Sequence, residues 1–428
     1  MALSRADPGL FERVLEDLDP EVSAAIGGEL ARQRSTLDLV ASESVPPRAV
    51  LEAQGSILTA KYADGYPGSR DYDTCEWIDE IECLATERAK ALFGADHANV
   101  QPYSGSSANA AVLHALCEPG DVVLGFDFAH GGHPTHYAAA TFAGRNYRAL
   151  AYHVRRDNRL VDMDEVETLA RRHRPKVLFA GWSCYSRHLE FARFREIADE
   201  VGAALVVDMA HFAGLVAAKV HPDPVPFADA CTMTVHKTLG GARGGTILCR
   251  REIAERVDAA VYPGEQGCPL ANVTAAKAVT FKLAGTDAFR ERMERTLEGA
   301  RTMAEVLVEA EDRTKAHVVT GGTDVHQLLV DLTPGGREAW ATLGRLNKIG
   351  ISANAIALAY DPRAEPACSG LRFGAMALAC RGFGREQFAE VADILVDALA
   401  NGGEDPGGSL AERVAELTSE MPLYRYLA

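Results

Sequence analysis

Apolar residues recur along this chain in two rhythms. Between Trp77 and Phe93, the residues Ile78, Ile81, Ala85, Ala89 and Leu92 return at helical spacing, and Gly94 stops the pattern. Glu21 to Arg34 is also helical by pattern and is expected to form an arm ahead of the main body. Short unbroken apolar runs follow at intervals: Val122–Phe126, Val177–Ala180, Ala204–Val207 and Thr246–Cys249. With helical patterns between most of them, these runs predict a mostly parallel sheet covered by helices on both faces, an α/β fold.

After Phe281 the rhythm changes. A long charged helix is expected over Asp287–Glu311, followed by strands around Val318–Val319, Leu328–Leu332 and Ile351–Ala353. This reads as a smaller α+β unit. The expected division is an N-terminal helical arm over 1–35, a large domain over 36–285 and a small C-terminal domain over 286–428. Asn401–Gly408 reads as a turn-rich link to a last amphipathic helix.

Composition narrows the classes. The chain has 428 residues, 47% of them hydrophobic, enough for a large core. With 44 basic and 60 acidic residues its net charge is -16, which argues against nucleic acid and anionic membrane surfaces. Its 9 cysteines are scattered without C-x-x-C spacing, so no disulfide framework or zinc site is expected. A reducing cytoplasm is the expected compartment. Met1–Pro8 has no apolar signal segment, and no stretch approaches the length of a membrane span.

The chemistry concentrates around Thr234–Gly245. Lys237 stands between His236 and Thr238, after the strand-like Cys231–Thr234 and before a glycine-rich turn. A lysine in such a pocket can lose its charge and become a nucleophile. About thirty residues upstream, the run Ala204–Val207 ends in Asp208, and open α/β sheets gather ligands at such strand ends. Taken alone, Asp208 reads as a loop acid capping the next helix and Lys237 as a surface lysine. Together they suggest a Schiff-base lysine for pyridoxal phosphate and a carboxylate that keeps the pyridine nitrogen protonated. The chain would then be an enzyme acting on amino acids.

Three further segments fit that reading. Ser104, Gly105 and Ser106 precede the apolar helix Ala110–Leu116, where backbone N–H groups and hydroxyls can hold a phosphate, although the same spacing suits an ordinary cap. His133 lies in Ala129–His136, a segment with three histidines. Its glycines and proline imply a turn, so a stacked imidazole is expected there rather than a metal. Arg372, in Ser369–Gly374, can bind a carboxylate through paired hydrogen bonds or can form a surface ion pair.

In this order the segments resemble the serine hydroxymethyltransferase family of fold-type I pyridoxal phosphate enzymes. The resemblance runs from Leu37–Ser44 through Lys61–Gly68, Ala95–Pro102, Val207–His211 and His236–Leu239 to Met421–Tyr424. It implies a large domain with a seven-stranded, mostly parallel sheet. It implies that Lys237, with His236 beside it, carries the cofactor, that Asp208 binds the pyridine nitrogen and that His133 stacks on the ring. His211 and Ser183 would lie near the phenolic oxygen, and Ser104, Gly105 and Ser106 at the phosphate. Tyr62, Gly267 and Cys268 would reach the phosphate of another subunit, in a homodimer or dimer of dimers with shared sites. Ser42, Tyr72 and Arg372 would surround the substrate carboxylate, and Asp64 stands where the family has a proton-handling glutamate.

The chain departs from the family pattern at Asp64, Asp71, Pro134 and Ile356, where the family has a glutamate, a tyrosine, a leucine and an asparagine that contribute to tetrahydrofolate binding. Ile356 cannot hydrogen-bond a pterin, and Asp71 sets a charge where an anionic folate tail would pass. The expectation is therefore that tetrahydrofolate is not used. The chain would be a folate-independent L-threonine transaldolase or aldolase, acting on β-hydroxy amino acids and aldehydes. The alternatives are a tetrahydrofolate-dependent serine hydroxymethyltransferase and, more remotely, a non-catalytic cofactor-binding protein.

Overall fold

In the computed structural model, which describes residues 8–361, 368–402, 405 and 407–427, seven strands form the main sheet. The first seven residues, and Gly403, Glu404 and Pro406 of the turn-rich link, lie outside the described residues. The strands are β1 (His97–Asn99), β2 (Val122–Phe126), β3 (Arg148–Tyr152), β4 (Val177–Gly181), β5 (Ala204–Asp208), β6 (Ala230–Thr234) and β7 (Gly245–Cys249). Their order across the sheet is β1-β7-β6-β5-β4-β2-β3. Only β7 runs against its neighbours. The fold is α/β with a mostly parallel sheet, as the apolar runs predict.

Residues in β4, β6 and β7 are buried along the whole strand, and those in β5 from Leu205 onward. A strand covered on both faces has no polar side, so it reads as a continuous apolar run rather than an alternation. Edge strand β3 gives no such signal, because among its residues only Tyr152 is fully buried. Since β7 is reversed, its first residue, Gly245, lies at the same sheet edge as the carboxyl ends of the other strands. Ligands of open α/β sheets gather at that edge.

Three helices lie at or behind this edge. α1 (Glu76–Phe93) ends at Gly94, whose φ of 69° belongs to the left-handed region that glycine adopts without strain. α2 (Gly105–Leu116) starts with a reciprocal cap: the Ser104 hydroxyl accepts from the Ser107 N–H at 3.0 Å, and the Ser104 N–H donates to the Ser107 hydroxyl at 2.9 Å. α3 (Ala271–Ala284) packs along α1 behind the sheet edge.

A second sheet combines β8 (His317–Val318), β9 (Gln327–Asp331), β10 (Asn354–Ile356) and β11 (Gly370–Gly374) in the order β8-β9-β11-β10, all antiparallel. Helices α4 (Asp287–Glu309) and α5 (Arg385–Ala400) cover it. Leu328, Val330, Leu371 and Phe373 share a core with Met303, Leu307, Ile394 and Leu395. Each such side chain contributes about 1.5–3 kcal/mol by leaving water. Leu37 and Leu39 also pack here, although they precede the main sheet in the chain. Strand Leu37–Asp38 pairs in parallel with Ile351–Ser352 in a separate two-stranded sheet. Among the described residues no helix is long and apolar enough to cross a membrane, and no disulfide forms among the nine cysteines.

Candidate active site

Asp208 closes β5 and is 5% exposed. Its Oδ2 accepts hydrogen bonds from Asn109 Nδ2 at 2.8 Å and pairs with His136 Nε2 at 3.0 Å, while Oδ1 accepts from the Ala210 N–H at 3.0 Å. Burial alone would push this carboxyl up. The His136 hydrogen bond, the neighbouring imidazoles of His136 and His133, and the Asn109 hydrogen bond together hold it well below the usual carboxylate range. Asn109 is itself oriented: its Nδ2 also donates to Thr135 Oγ1 at 2.9 Å, and its Oδ1 accepts from Thr232 Oγ1 at 2.5 Å.

Lys237 follows β6 in a loop tied across its base. The Val235 N–H donates to Gly244 O at 3.0 Å, and the Gly241 N–H donates to Val235 O at 2.8 Å. Burial lowers the Lys237 ammonium from its ordinary 10.5 to about 8; the Asp208 carboxylate opposes the shift and the Arg372 guanidinium adds to it. His236, next to it, keeps a buried Nδ1 without a hydrogen-bond partner.

His133 caps the short turn Pro134–His136, with Nδ1 2.6 Å from Thr135 Oγ1. Burial lowers its imidazole to about 4, so it is neutral at neutral pH. His136 lies flat on Phe179, ring centroids 4.8 Å apart. His133, His136 and Asp208 thus offer ligand atoms within 4.8 Å of one another, but His136 and Asp208 already satisfy each other by hydrogen bonding. His130 points elsewhere and accepts from the Val154 N–H at 3.2 Å.

Arg372 sits on β11 opposite Asn354 of β10 and is 7% exposed. Its Nε and Nη2 donate to Asn354 Oδ1 at 3.1 and 2.7 Å. Its Nη1 reaches across to the segment that follows β4, donating to Ser183 O at 2.8 Å and Cys184 Sγ at 3.3 Å. Nearby, His211 and His326 are 3.5 Å apart, nitrogen to nitrogen, and both stack with Trp182. Burial pushes His211 well down and His326 to about 3. His326 Nε2 lies 3.2 Å from Ala41 O and so ties down the segment that carries Ser42.

A second group surrounds the loop before α1. The rings of Tyr62 and Tyr72 lie 5.5 Å apart and are largely exposed, and the Ala63 N–H donates to Cys268 Sγ at 3.2 Å. Asp64 keeps a buried Oδ1 without a partner, with the Gly267 backbone beside it. The Tyr103 hydroxyl donates to Cys268 O at 2.7 Å, so Gly267–Cys268 abuts the turn that leads into Ser104, Gly105 and Ser106.

The structure therefore brings Lys237, Asp208, His133, His211, Ser183 and Arg372 to one place, and leaves Tyr62, Asp64, Tyr72, Gly267 and Cys268 in a separate group. Sequence reasoning missed Asn109, His136, His326 and Asn354. His136 is the third histidine of its turn and Asn109 lies one helical turn past the serines, so both had a local signal. His326 and Asn354 had none: strand register sets Asn354 opposite Arg372, and the turn before β9 brings His326 to His211.

The serine hydroxymethyltransferase family model matches residues 15–395. A protein named serine hydroxymethyltransferase from Nocardia farcinica is 55% identical over 414 residues, 96% of each chain. Those of the same name from Kineococcus radiotolerans and Corynebacterium glutamicum are 55% identical over 418 residues (97% of this chain, 96% of theirs) and 54% identical over 414 residues (96% and 95%). These relatives overturn the expectation of a folate-independent threonine transaldolase or aldolase, and with it the expectation that tetrahydrofolate is not used. Four local exchanges do not outweigh similarity along the whole chain. At three of these positions the structure shows the local surroundings: the Asp71 carboxylate accepts a hydrogen bond from the Tyr262 hydroxyl, Asp64 keeps an unpaired carboxylate oxygen, and Ile356 packs over Gly370. The chain belongs to the serine hydroxymethyltransferase family and is a pyridoxal-phosphate-dependent transferase.

Proposed function

We propose that the protein interconverts serine and glycine, with tetrahydrofolate as carrier of the hydroxymethyl carbon. The observation that carries this reading is the identity of 54–55%, over 96–97% of the chain, to proteins that bear the name of this activity.

The residues present fit pyridoxal phosphate. Asp208 is a buried carboxylate held ionised, as a protonated ring nitrogen requires. Lys237 has its charge disfavoured beside it. The turn before α2 is narrow: a side chain at Gly105 would approach Thr234 Cγ2 to 2.9 Å. When bound, the cofactor supplies an electron sink for the bond broken at the substrate's Cα.

Each residue then has a task. Lys237, poised at about 8, presents an amine that is partly unprotonated near neutral pH. Asp208 would keep the cofactor's ring nitrogen protonated, and His136 and Asn109 hold Asp208 in place. Ser104, Gly105 and Ser106 present a capped helix start to the phosphate. His133 would offer a neutral face to the ring, and Ser183 and His211 would hold its phenolic oxygen. Arg372 and Ser42 would bind the amino-acid carboxylate and so orient the bonds at Cα. Asp64 moves the proton of the substrate hydroxyl, with Tyr72 at the carboxylate and Tyr62, Gly267 and Cys268 at the phosphate, in a site completed by a second subunit.

Serine labelled at its hydroxymethyl carbon tests the reading. Label should pass to tetrahydrofolate and leave unlabelled glycine. Release of label as free formaldehyde at the same rate without folate would contradict it.

A further inference from the structure

Behind the phosphate turn lies a charged group with no task so far. Lys277, on α3, is 1% exposed. Its Nζ donates three hydrogen bonds: to Val100 O at 2.6 Å, to Pro102 O at 3.0 Å and to Gly245 O at 2.8 Å. An ammonium has three protons and no acceptor, so these carbonyls use its full capacity. Among the described residues it forms no ion pair; burial lowers it to about 7, and the Glu82 carboxylate only partly opposes this. A buried charge held by carbonyls alone carries a desolvation cost that a neutral side chain would avoid.

The three carbonyls identify the task. Val100 and Pro102 belong to the segment between β1 and the Ser104 turn, and Gly245 opens β7 just after the Lys237 loop. These segments are pressed together. The Gly245 N–H donates to Pro102 O at 2.9 Å, and a side chain at Gly245 would approach Ser104 O to 2.2 Å. A side chain at Gly244 would meet Lys277 Cε at 2.5 Å. Gly244 O in turn accepts from the Val235 N–H, two residues before Lys237. One amine thus bolts the segment that leads into the Ser104–Ser106 turn to the start of β7, just after the Lys237 loop.

We propose that Lys277 is a positioning residue for the cofactor's phosphate: it sets the spacing between the Ser104–Ser106 turn and the Lys237 loop and supplies positive potential to that turn. The proposal rests on the reading that the phosphate sits at this turn.

The test compares two probes, pyridoxal 5′-phosphate and pyridoxal, on the cofactor-free full-length protein, by absorbance titration. In Lys277→Met the affinity for the phosphorylated probe should fall by about fiftyfold, the scale of losing charge-assisted hydrogen bonds in a buried site, and that for pyridoxal by less than about threefold. Gly244→Ala, which keeps the lysine but displaces its ammonium, should show the same selective loss and serves where Lys277→Met does not fold. Equal losses for both probes, or none, would reduce Lys277 to a structural residue and overturn the proposal. Wild-type protein that binds the two probes equally would instead overturn the placement of the phosphate, and the proposal with it.

Discussion

Arg372 holds the side-chain oxygen of Asn354 directly across the second sheet, with hydrogen bonds of 2.7 and 3.1 Å from two of its nitrogens. The pair fixes the plane of the guanidinium before any substrate arrives, while Nη1 is braced on Ser183 O, just past the end of β4. Paired, coplanar donors are what a carboxylate needs, and lysine cannot supply them. Arg372→Lys should therefore raise KM for serine by about tenfold or more, with a smaller effect on kcat. Asn354→Ala should raise KM by less, because the arginine remains but loses its brace. Steady-state kinetics at saturating cofactor separate the two, and an unchanged KM in Arg372→Lys would remove Arg372 from the carboxylate site.

Lys237→Ala should lower turnover by roughly three orders of magnitude or more, because a methyl group offers no nucleophile in place of the amine. The same variant should lose the borohydride-fixed cofactor label that the wild type carries on the peptide containing this residue. A variant that keeps its label places the nucleophile elsewhere.

The carboxylate of Asp208 depends on its neighbours. His136 donates to it and stacks on Phe179 at 4.8 Å, so His136→Phe should keep the packing and lose the hydrogen bond. Asp208→Asn should cost turnover roughly two orders of magnitude, since a neutral amide cannot hold the ring proton. His136→Phe should cost less. Rapid-quench rates at saturating serine check the ranking, and the reverse order would show that Asp208 does not act through its charge.

Stability should carry a pH signature of Lys237. Its ammonium titrates near 8 in the folded protein and near 10.5 in the unfolded chain. Between those values the unfolded chain holds a proton that the folded protein has released, so stability rises with pH; below about 8 both are protonated and the full cost of burying the charge is present. In cofactor-free protein, the unfolding free energy of wild type should gain on that of Lys237→Met as pH rises from 8 towards 10.5. A difference that stays flat across this window would show that the ammonium is not destabilised by burial.

Gly299, on α4, allows Phe388 of α5 to close against it; a side chain there would lie 2.4 Å from the ring. Gly299→Ala gains about 1 kcal/mol in helix propensity but overpacks a buried contact at a cost of about 1–3 kcal/mol. Chemical denaturation should show a net loss. A gain would mean that the two helices can separate freely.

Parts of this architecture are legible in the chain and parts are not, for physical reasons. Strands β4 and β5 declare themselves because burial on both faces leaves no polar position, and Asp208 is visible as the acid that ends such a run. Lys237 is visible through its glycines. Arg148–Tyr152 passes unnoticed because an edge strand has little to bury. Asn354 and His326 carry no local mark: one faces Arg372 through strand register, and the other meets His211 from 115 residues away. The four exchanges at Asp64, Asp71, Pro134 and Ile356 are plain to read as residues, yet they mislead about folate. Their surroundings come from the fold, in which the Tyr262 hydroxyl donates a hydrogen bond to the Asp71 carboxylate and Ile356 rests on Gly370.

The most direct measurement is conversion of L-serine to glycine by the cofactor-loaded protein, with and without tetrahydrofolate, beside L-threonine without folate. Serine turnover should depend on tetrahydrofolate, and threonine should be cleaved only slowly. Rapid release of acetaldehyde from threonine, with serine turnover indifferent to tetrahydrofolate, would contradict the proposed function.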